Sequence, residues 1–87
     1  MPQKKKPIKV IHRKLGREKA YGQAWVDYRI IEIDERVVGK EYLDVLIHEV
    51  FHIQNPKWPE IQVLARATEL CNILWDAGFR WVDLHEK

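Results

Sequence analysis

The sequence predicts a small α+β domain, in which a short antiparallel sheet of about three strands precedes an antiparallel pair of helices. Two observations lead to this fold class. β-branched residues cluster before residue 35, and two long segments with helical periodicity follow residue 39. A chain of 87 residues forms one such domain with a modest core. We therefore expect a flexible basic arm over residues 1–7 and a single domain over residues 8–87.

The N-terminal half carries the features of three strands. Residues 8–13 are rich in β-branched side chains and predict the first strand. Residues 24–27 and 30–34 flank the pair at 28–29, which predicts a β-hairpin, although Tyr-Arg is not a favoured turn pair. The alternating segment at 79–84 could add a last strand or pack on the core as an extended tail.

The C-terminal half predicts two helices. The first covers residues 40–53 and ends before Pro56, because a residue that precedes proline is disfavoured in the helical region. The second covers residues 59–77, with proline at its first position and Gly78 as the C-terminal stop. The short connection between them predicts an antiparallel pair.

Composition limits the function classes. The net charge of +2 is too small to indicate nucleic-acid binding, and the lysines at 4–6 are interpreted as a solvated terminus. No apolar segment approaches the roughly 18 residues of a membrane span. The single cysteine, Cys71, excludes an internal disulfide and suits a reducing cytoplasm.

The strongest functional signal is His48-Glu49-Val50-Phe51-His52, an H-E-x-x-H motif in the first predicted helix. Residues i and i+4 share one helix face, so the two imidazoles can bind a single Zn²⁺. Glu49 is then free to act as a general base instead of a ligand. The alternative is an amphipathic helix whose solvent-facing side carries two histidines by chance, since its apolar face is complete without them.

A hydrolytic zinc site needs a third protein ligand, for which the second helix offers Glu60 and Glu69. If the turn centres near Pro56, Glu60 lies level with His52, while Glu69 lies about two turns further away and points outward. Glu60 is therefore the predicted ligand, and its alternative role is to complement the helix dipole. It heads a stripe that is expected to point inward and is otherwise apolar: Leu64, Ala67, Cys71 and Leu74.

The order of these features resembles that of the gluzincin metallopeptidases. In that group a strand hairpin is followed by an H-E-x-x-H helix and then by a helix with a metal-binding glutamate. Residues 60–65, Glu-Ile-Gln-Val-Leu-Ala, are similar to the E-x-x-x-(F/L)-A segment of ImmA/IrrE-type peptidases. The small size resembles the minimal cytosolic versions found in phage and mobile-element genomes. The resemblance covers residues 24–78.

The resemblance implies a zincin-like fold and a zinc metallopeptidase that hydrolyses peptide bonds of a protein substrate, such as a regulator. It implies that His48, His52 and Glu60 bind one Zn²⁺ per chain and that Glu49 is the general base. SprT-type proteases share H-E-x-x-H but use a histidine as third ligand, and the second helix contains none.

Two further roles are expected by the same resemblance. A Tyr, His or Arg often steadies the oxyanion in such peptidases, and spacing does not choose among Tyr28, Tyr42, His12 and His85. The strand at residues 30–33 precedes the metal helix and is expected to be an edge strand that pairs with extended substrate.

The main rival interpretation is a non-catalytic protein that keeps the fold and binds a partner protein. Four tryptophans in so short a chain could include an exposed partner patch. The alternative for these tryptophans is core packing, which is expected for at least Trp25 and Trp75. A nucleic-acid binder that uses the basic arm is the weakest of the three interpretations.

Overall fold

The computed structural model describes residues 6–16 and 21–82. In chain order its elements are β1 (Lys9–Arg13), β2 (Gly22–Trp25), β3 (Ile30–Asp34), α1 (Gly39–Gln54) and α2 (Glu60–Asp76). Three strands followed by two helices form an α+β fold, which confirms the predicted class and order of elements.

The sheet has the order β1-β3-β2, so β3 lies in the centre. β2 pairs antiparallel with β3, with Gly22 opposite Ile33 and Trp25 opposite Ile30. β1 pairs parallel with β3 from the other side, with Lys9 opposite Ile30. The sheet is therefore mixed and not antiparallel throughout. β2 pairs with one edge of β3 to form the hairpin. β1 pairs with the other edge and runs in the same direction as β3.

The predicted hairpin is confirmed, and its loop spans residues 26–29. The backbone N–H of Tyr28 donates to the carbonyl of Trp25 at 3.2 Å, and the N–H of Arg29 donates to that of Val26 at 3.2 Å. Arg29 has a φ of 56°, in the left-handed region, which lets the chain reverse without glycine. A four-residue loop explains why the Tyr-Arg pair did not have to form a tight turn.

Both helices lie within a few residues of their predicted positions. α2 ends at Asp76, and Gly78 follows with a φ of 103°, a conformation that glycine adopts without strain. The N–H groups of Gly78 and Phe79 bond back to the carbonyls of Trp75 and Leu74. Residues 79–82 then continue without forming a strand, and the rest of the predicted tail lies outside the described residues.

α1 is the central layer of the molecule. One side packs on the sheet around Ile31, Ile33, Val37 and Ile53, which are buried. A second side packs on α2 through Ile47, Ala67 and Cys71. Across the described ranges, α2 contacts α1 but not the strands. A third side of α1 therefore lies between β2 and α2, and helical geometry places positions 44, 48 and 52 on it.

The inward stripe of α2 differs from the prediction at two positions. Val63, Ala67 and Cys71 are buried, whereas Leu64 is 50% exposed and the side chain of Glu60 is 66% exposed. The spacing of 63, 67 and 71 is still helical, but the packing face is rotated toward Val63. Val63 and Leu64 both fit the helical periodicity of the apolar residues. The angle at which the two helices cross therefore decides which of them faces α1.

The two tryptophans expected in the core have different environments. Trp25 is 45% exposed, so that expectation is wrong for it. Its indole N–H donates to Glu32 at 3.1 Å on the sheet face that is turned away from α1. Trp75 is half-buried, and the guanidinium of Arg80 lies 3.6 Å from its ring centroid.

The predicted basic arm lies mostly outside the described residues, which begin at Lys6. None of the helices in the described part of the chain is long and apolar enough to span a membrane.

Candidate metal centre

Three side chains from two helices converge on one point. The Nε2 atoms of His48 and His52 lie 3.2 Å apart. A carboxylate oxygen of Glu60 lies 3.0 Å from Nε2 of His48, and the other lies 2.9 Å from Nε2 of His52. Glu60, which the short connection between the helices predicted as the third ligand, therefore lies beside both histidines. Glu69 is exposed and lies nine residues, or roughly 13 Å, further along the helix axis.

Local structure explains how these side chains meet. The helical repeat places His52 one turn after His48 on the same side of α1. The connection to α2 is short, and Glu60 is the first residue of α2. Trp58 anchors this connection by packing edge-on against Phe51, with ring centroids 5.9 Å apart. The guanidinium of Arg66, a residue of α2, lies 5.0 Å from the centroid of the Trp58 ring.

Protons alone cannot satisfy all three contacts of this triangle. The carboxylate of Glu60 only accepts hydrogen bonds, and each Nε2 carries at most one hydrogen. If both imidazoles donate to Glu60, each N–H points at its own carboxylate oxygen, and the two nitrogens stay 3.2 Å apart without a hydrogen bond between them. If one imidazole donates to the other, the donor has no second hydrogen and the acceptor has none, so neither can donate to Glu60. A cation at the centre can be bound at the same time by both imidazole nitrogens and by the Glu60 carboxylate.

The separations also fit zinc, as they fit other divalent transition metals with similar bond lengths. Zinc bonds His nitrogen at about 2.0–2.1 Å and carboxylate oxygen at about 2.0–2.2 Å, so adjacent ligands of a tetrahedral ion lie roughly 3.3 Å apart. The three contacts in the structure are 2.9, 3.0 and 3.2 Å. Two imidazoles and a carboxylate form a recognised ligand set for catalytic zinc, with a fourth position left for water. The residues present therefore fit this ion.

Glu49 occupies a different side of α1 from the histidines. Its exposure is only 9%. Burial raises the pKa of its carboxyl, an effect that His48 and His52 oppose and Glu60 reinforces. A helical wheel places Glu49 among the polar residues of α1, but β2 crosses α1 at this residue and covers it.

Gly22 in β2 is the residue that this crossing depends on, and it was not singled out from the sequence. Its backbone lies so close to α1 that an added Cβ would be 2.6 Å from Cγ1 of Val45, and it would be in van der Waals contact with Cγ of Glu49 at 3.4 Å. The available signal was a glycine at the start of a strand, which often marks a close approach of another element.

Three of the four candidates for an oxyanion-stabilising residue lie among the described residues, and none of these three contacts the metal-binding side chains. Nε2 of His12 lies 2.7 Å from the hydroxyl of Tyr42, and both rings contact Trp81. Tyr42 is six residues before His48, about 9 Å along the axis of α1. Tyr28 is 68% exposed in the hairpin loop. His85 lies outside the described residues.

The predicted substrate strand is not an edge strand. β3 contains residues 30–33 and has β1 and β2 on its two sides, so its backbone is already paired. The expectation for this segment is therefore wrong. β2 is the outer strand of the hairpin, and it is also the strand that contacts α1 at Glu49.

Comparison of the chain with protein-family models, with curated proteins and with solved structures gives no significant match. The functional proposal therefore depends on the geometry of the site.

Proposed function

We propose that this chain is a small zinc metallopeptidase, in which His48, His52 and Glu60 hold one Zn²⁺ and Glu49 is the general base. The observation that carries the proposal is the convergence of two imidazole nitrogens and a carboxylate within 3.2 Å. These side chains come from two separate helices. Chance histidines on an amphipathic helix do not require a carboxylate from a second element beside both of them, whereas a metal site does.

The reaction depends on what each side chain does. Zinc in such a site supplies a Lewis acid, which makes water nucleophilic near neutral pH and polarises a peptide carbonyl. His48, His52 and Glu60 bind and orient the ion. The carboxylate of Glu49 lies close enough to interact electrostatically with these three side chains and is not one of the converging groups. It can therefore take a proton from the attacking water and pass it to the leaving amine nitrogen.

The position of β2 supports an extended peptide as substrate. Among the described strands, β2 pairs only with β3, so its other edge offers free backbone groups. Because β2 also covers Glu49, a peptide added to this edge would run past the general base. Backbone pairing of this kind needs little sequence specificity, which suits a segment of a protein such as a regulator.

A Glu49→Gln variant tests the catalytic part of the proposal. The amide cannot accept the proton but has nearly the same size, so zinc binding should be retained while cleavage of an unstructured protein such as casein is lost. Zinc content and cleavage are measured on the same preparations. Equal cleavage by wild type and variant would show that the activity belongs to a contaminant.

A second candidate function is a non-catalytic protein that binds a partner protein. The observation that favours it is the exposure of apolar residues in one C-terminal segment, where Phe79 is 61%, Trp81 60% and Val82 67% exposed. A zinc-loaded wild-type chain that cleaves none of a broad set of unstructured proteins would favour this function. For either function we propose a cytoplasmic location, which suits the buried thiol of Cys71.

A further inference from the structure

Gly22 is a point of close approach between β2 and α1. A Cβ added to Gly22 would lie 2.6 Å from Cγ1 of Val45 and 3.2 Å from the backbone oxygen of Glu32. Ordinary van der Waals contact begins at 3.4 Å, which is the distance from this Cβ to Cγ of Glu49. Any side chain at this position would therefore push β2 away from α1 or displace Val45.

Backbone conformation does not explain the glycine. The left-handed residues in the described part of the chain are Arg29, Gly39 and Gly78. Gly22 instead lies in a regular strand, paired with Ile33 of β3. Its requirement is for space and not for an unusual φ.

The space at Gly22 is used to cover Glu49. The strand backbone lies directly against this residue and leaves it only 9% exposed. We propose that Gly22 is a positioning residue for Glu49. By lacking a side chain, it lets β2 pack onto α1 and hold the Glu49 carboxylate beside the two histidines. This inference rests on the proposed function, because positioning matters for a group that transfers a proton.

The inference predicts different effects on the metal and on the reaction. A catalytic group that is displaced by about 1 Å can lower the rate roughly 100-fold. Gly22→Ala should therefore lower kcat by about 10-fold to 100-fold. The three metal-binding side chains come from α1 and α2, so zinc affinity should stay within about threefold of wild type, well short of the 10-fold to 100-fold losses that follow disturbance of a metal-binding residue.

Four variants separate steric positioning from general loss of stability. They are Gly22→Ala, Val45→Ala, the double variant that combines these two changes, and Gly16→Ala. Val45→Ala removes the atom that a new Cβ would strike. Gly16 is the matched control, because a Cβ there would meet no atom of the described residues within 4 Å and its φ is not positive.

Three measurements are made on each variant: thermal unfolding of the metal-free chain, competitive zinc titration, and kcat for casein cleavage by the zinc-loaded chain. Gly22→Ala should lower the Tm by several degrees and reduce kcat while keeping zinc affinity. The double variant should match Val45→Ala alone in Tm and kcat, and Gly16→Ala should resemble wild type. If Gly22→Ala does not fold, a double variant that folds and matches Val45→Ala supports the steric mechanism, and one that does not fold contradicts it.

Several results would overturn the inference. If Gly22→Ala has the same Tm and kcat as Gly16→Ala, the absence of a side chain at Gly22 has no role in positioning Glu49. Parallel loss of zinc affinity and kcat would show an effect on the fold as a whole and not on Glu49. Failure of Val45→Ala to restore kcat would contradict the steric mechanism. An inactive zinc-loaded wild type would overturn the proposed function and the positioning role together, whereas the unfolding measurements would still decide the packing claim.

Discussion

Removal of Glu60 should sharply weaken zinc binding, whereas removal of Glu69 should not. Glu60 contributes one of three converging donor groups, with its oxygens 3.0 and 2.9 Å from the two Nε2 atoms. Loss of a residue that only supports a metal ligand typically costs 10-fold to 100-fold in affinity. Loss of a ligand itself should cost more, so we expect the Kd for zinc to rise by about 100-fold or more in Glu60→Ala.

This loss of affinity can also be measured as a change in stability. At a free zinc concentration 100 times the wild-type Kd, the ion stabilises the folded chain by about 2.7 kcal/mol. A 100-fold weaker Kd reduces this to about 0.4 kcal/mol at the same concentration. For a domain of this size, 1 kcal/mol corresponds to roughly 4–8 °C in Tm. The zinc-induced rise should therefore fall from roughly 11–22 °C to roughly 2–3 °C.

The metal-free chain provides an internal control for the same variant. The Glu60 side chain is 66% exposed, and exposed ion pairs contribute only about 0–1 kcal/mol. Glu60→Ala should therefore change the metal-free Tm little. Zinc affinity is measured by competition with a chromophoric chelator. A Kd that is unchanged in Glu60→Ala, or equally weakened in Glu69→Ala, would refute the assignment of the third ligand.

Two further predictions concern stability. Hydrogen bonds from Arg13 lower the pKa of Glu32 to about 2, from an ordinary value of 4.5, and bonds from Trp25 and Gln23 add to the effect. A depressed carboxyl pKa stabilises the fold above the ordinary value, so urea unfolding should show stability falling as pH drops from about 4.5 toward 2, and less steeply in Glu32→Gln. Val63→Ala should destabilise the chain by about 2 kcal/mol, because Val63 is fully buried. Leu64→Ala should cost less than about 1 kcal/mol despite removing a larger group, and the reverse ranking in urea unfolding would contradict the packing face of α2.

The parts of the site that sequence predicted depend on short-range geometry. His48 and His52 share a face because the helical repeat is fixed. Glu60 is brought beside them because the connection between the helices is short. Pro56 predicts where α1 ends, and Gly78 predicts where α2 ends. Each of these inferences uses residues that are close in sequence.

The parts that sequence did not predict depend on contacts between distant segments. The burial of Glu49 requires β2 to cross α1, and nothing within the helix reports that crossing. The central position of β3 requires β1 to pair with its second edge, whereas local pattern predicts only that β1 is a strand. The choice between Val63 and Leu64 depends on the crossing of the two helices, since either residue fits the apolar repeat.

X-ray absorption at the zinc edge tests the central claim most directly, on protein purified without a metal-binding tag and loaded with one equivalent of Zn²⁺. The account predicts one ion per chain, with only nitrogen and oxygen neighbours at about 2.0–2.2 Å and outer-shell scattering from two imidazoles. In His48→Ala and in His52→Ala, the contribution of one imidazole should disappear. A sulfur neighbour at about 2.3 Å would place the ion at Cys71 instead, and either that result or a chain that binds no zinc would contradict the account.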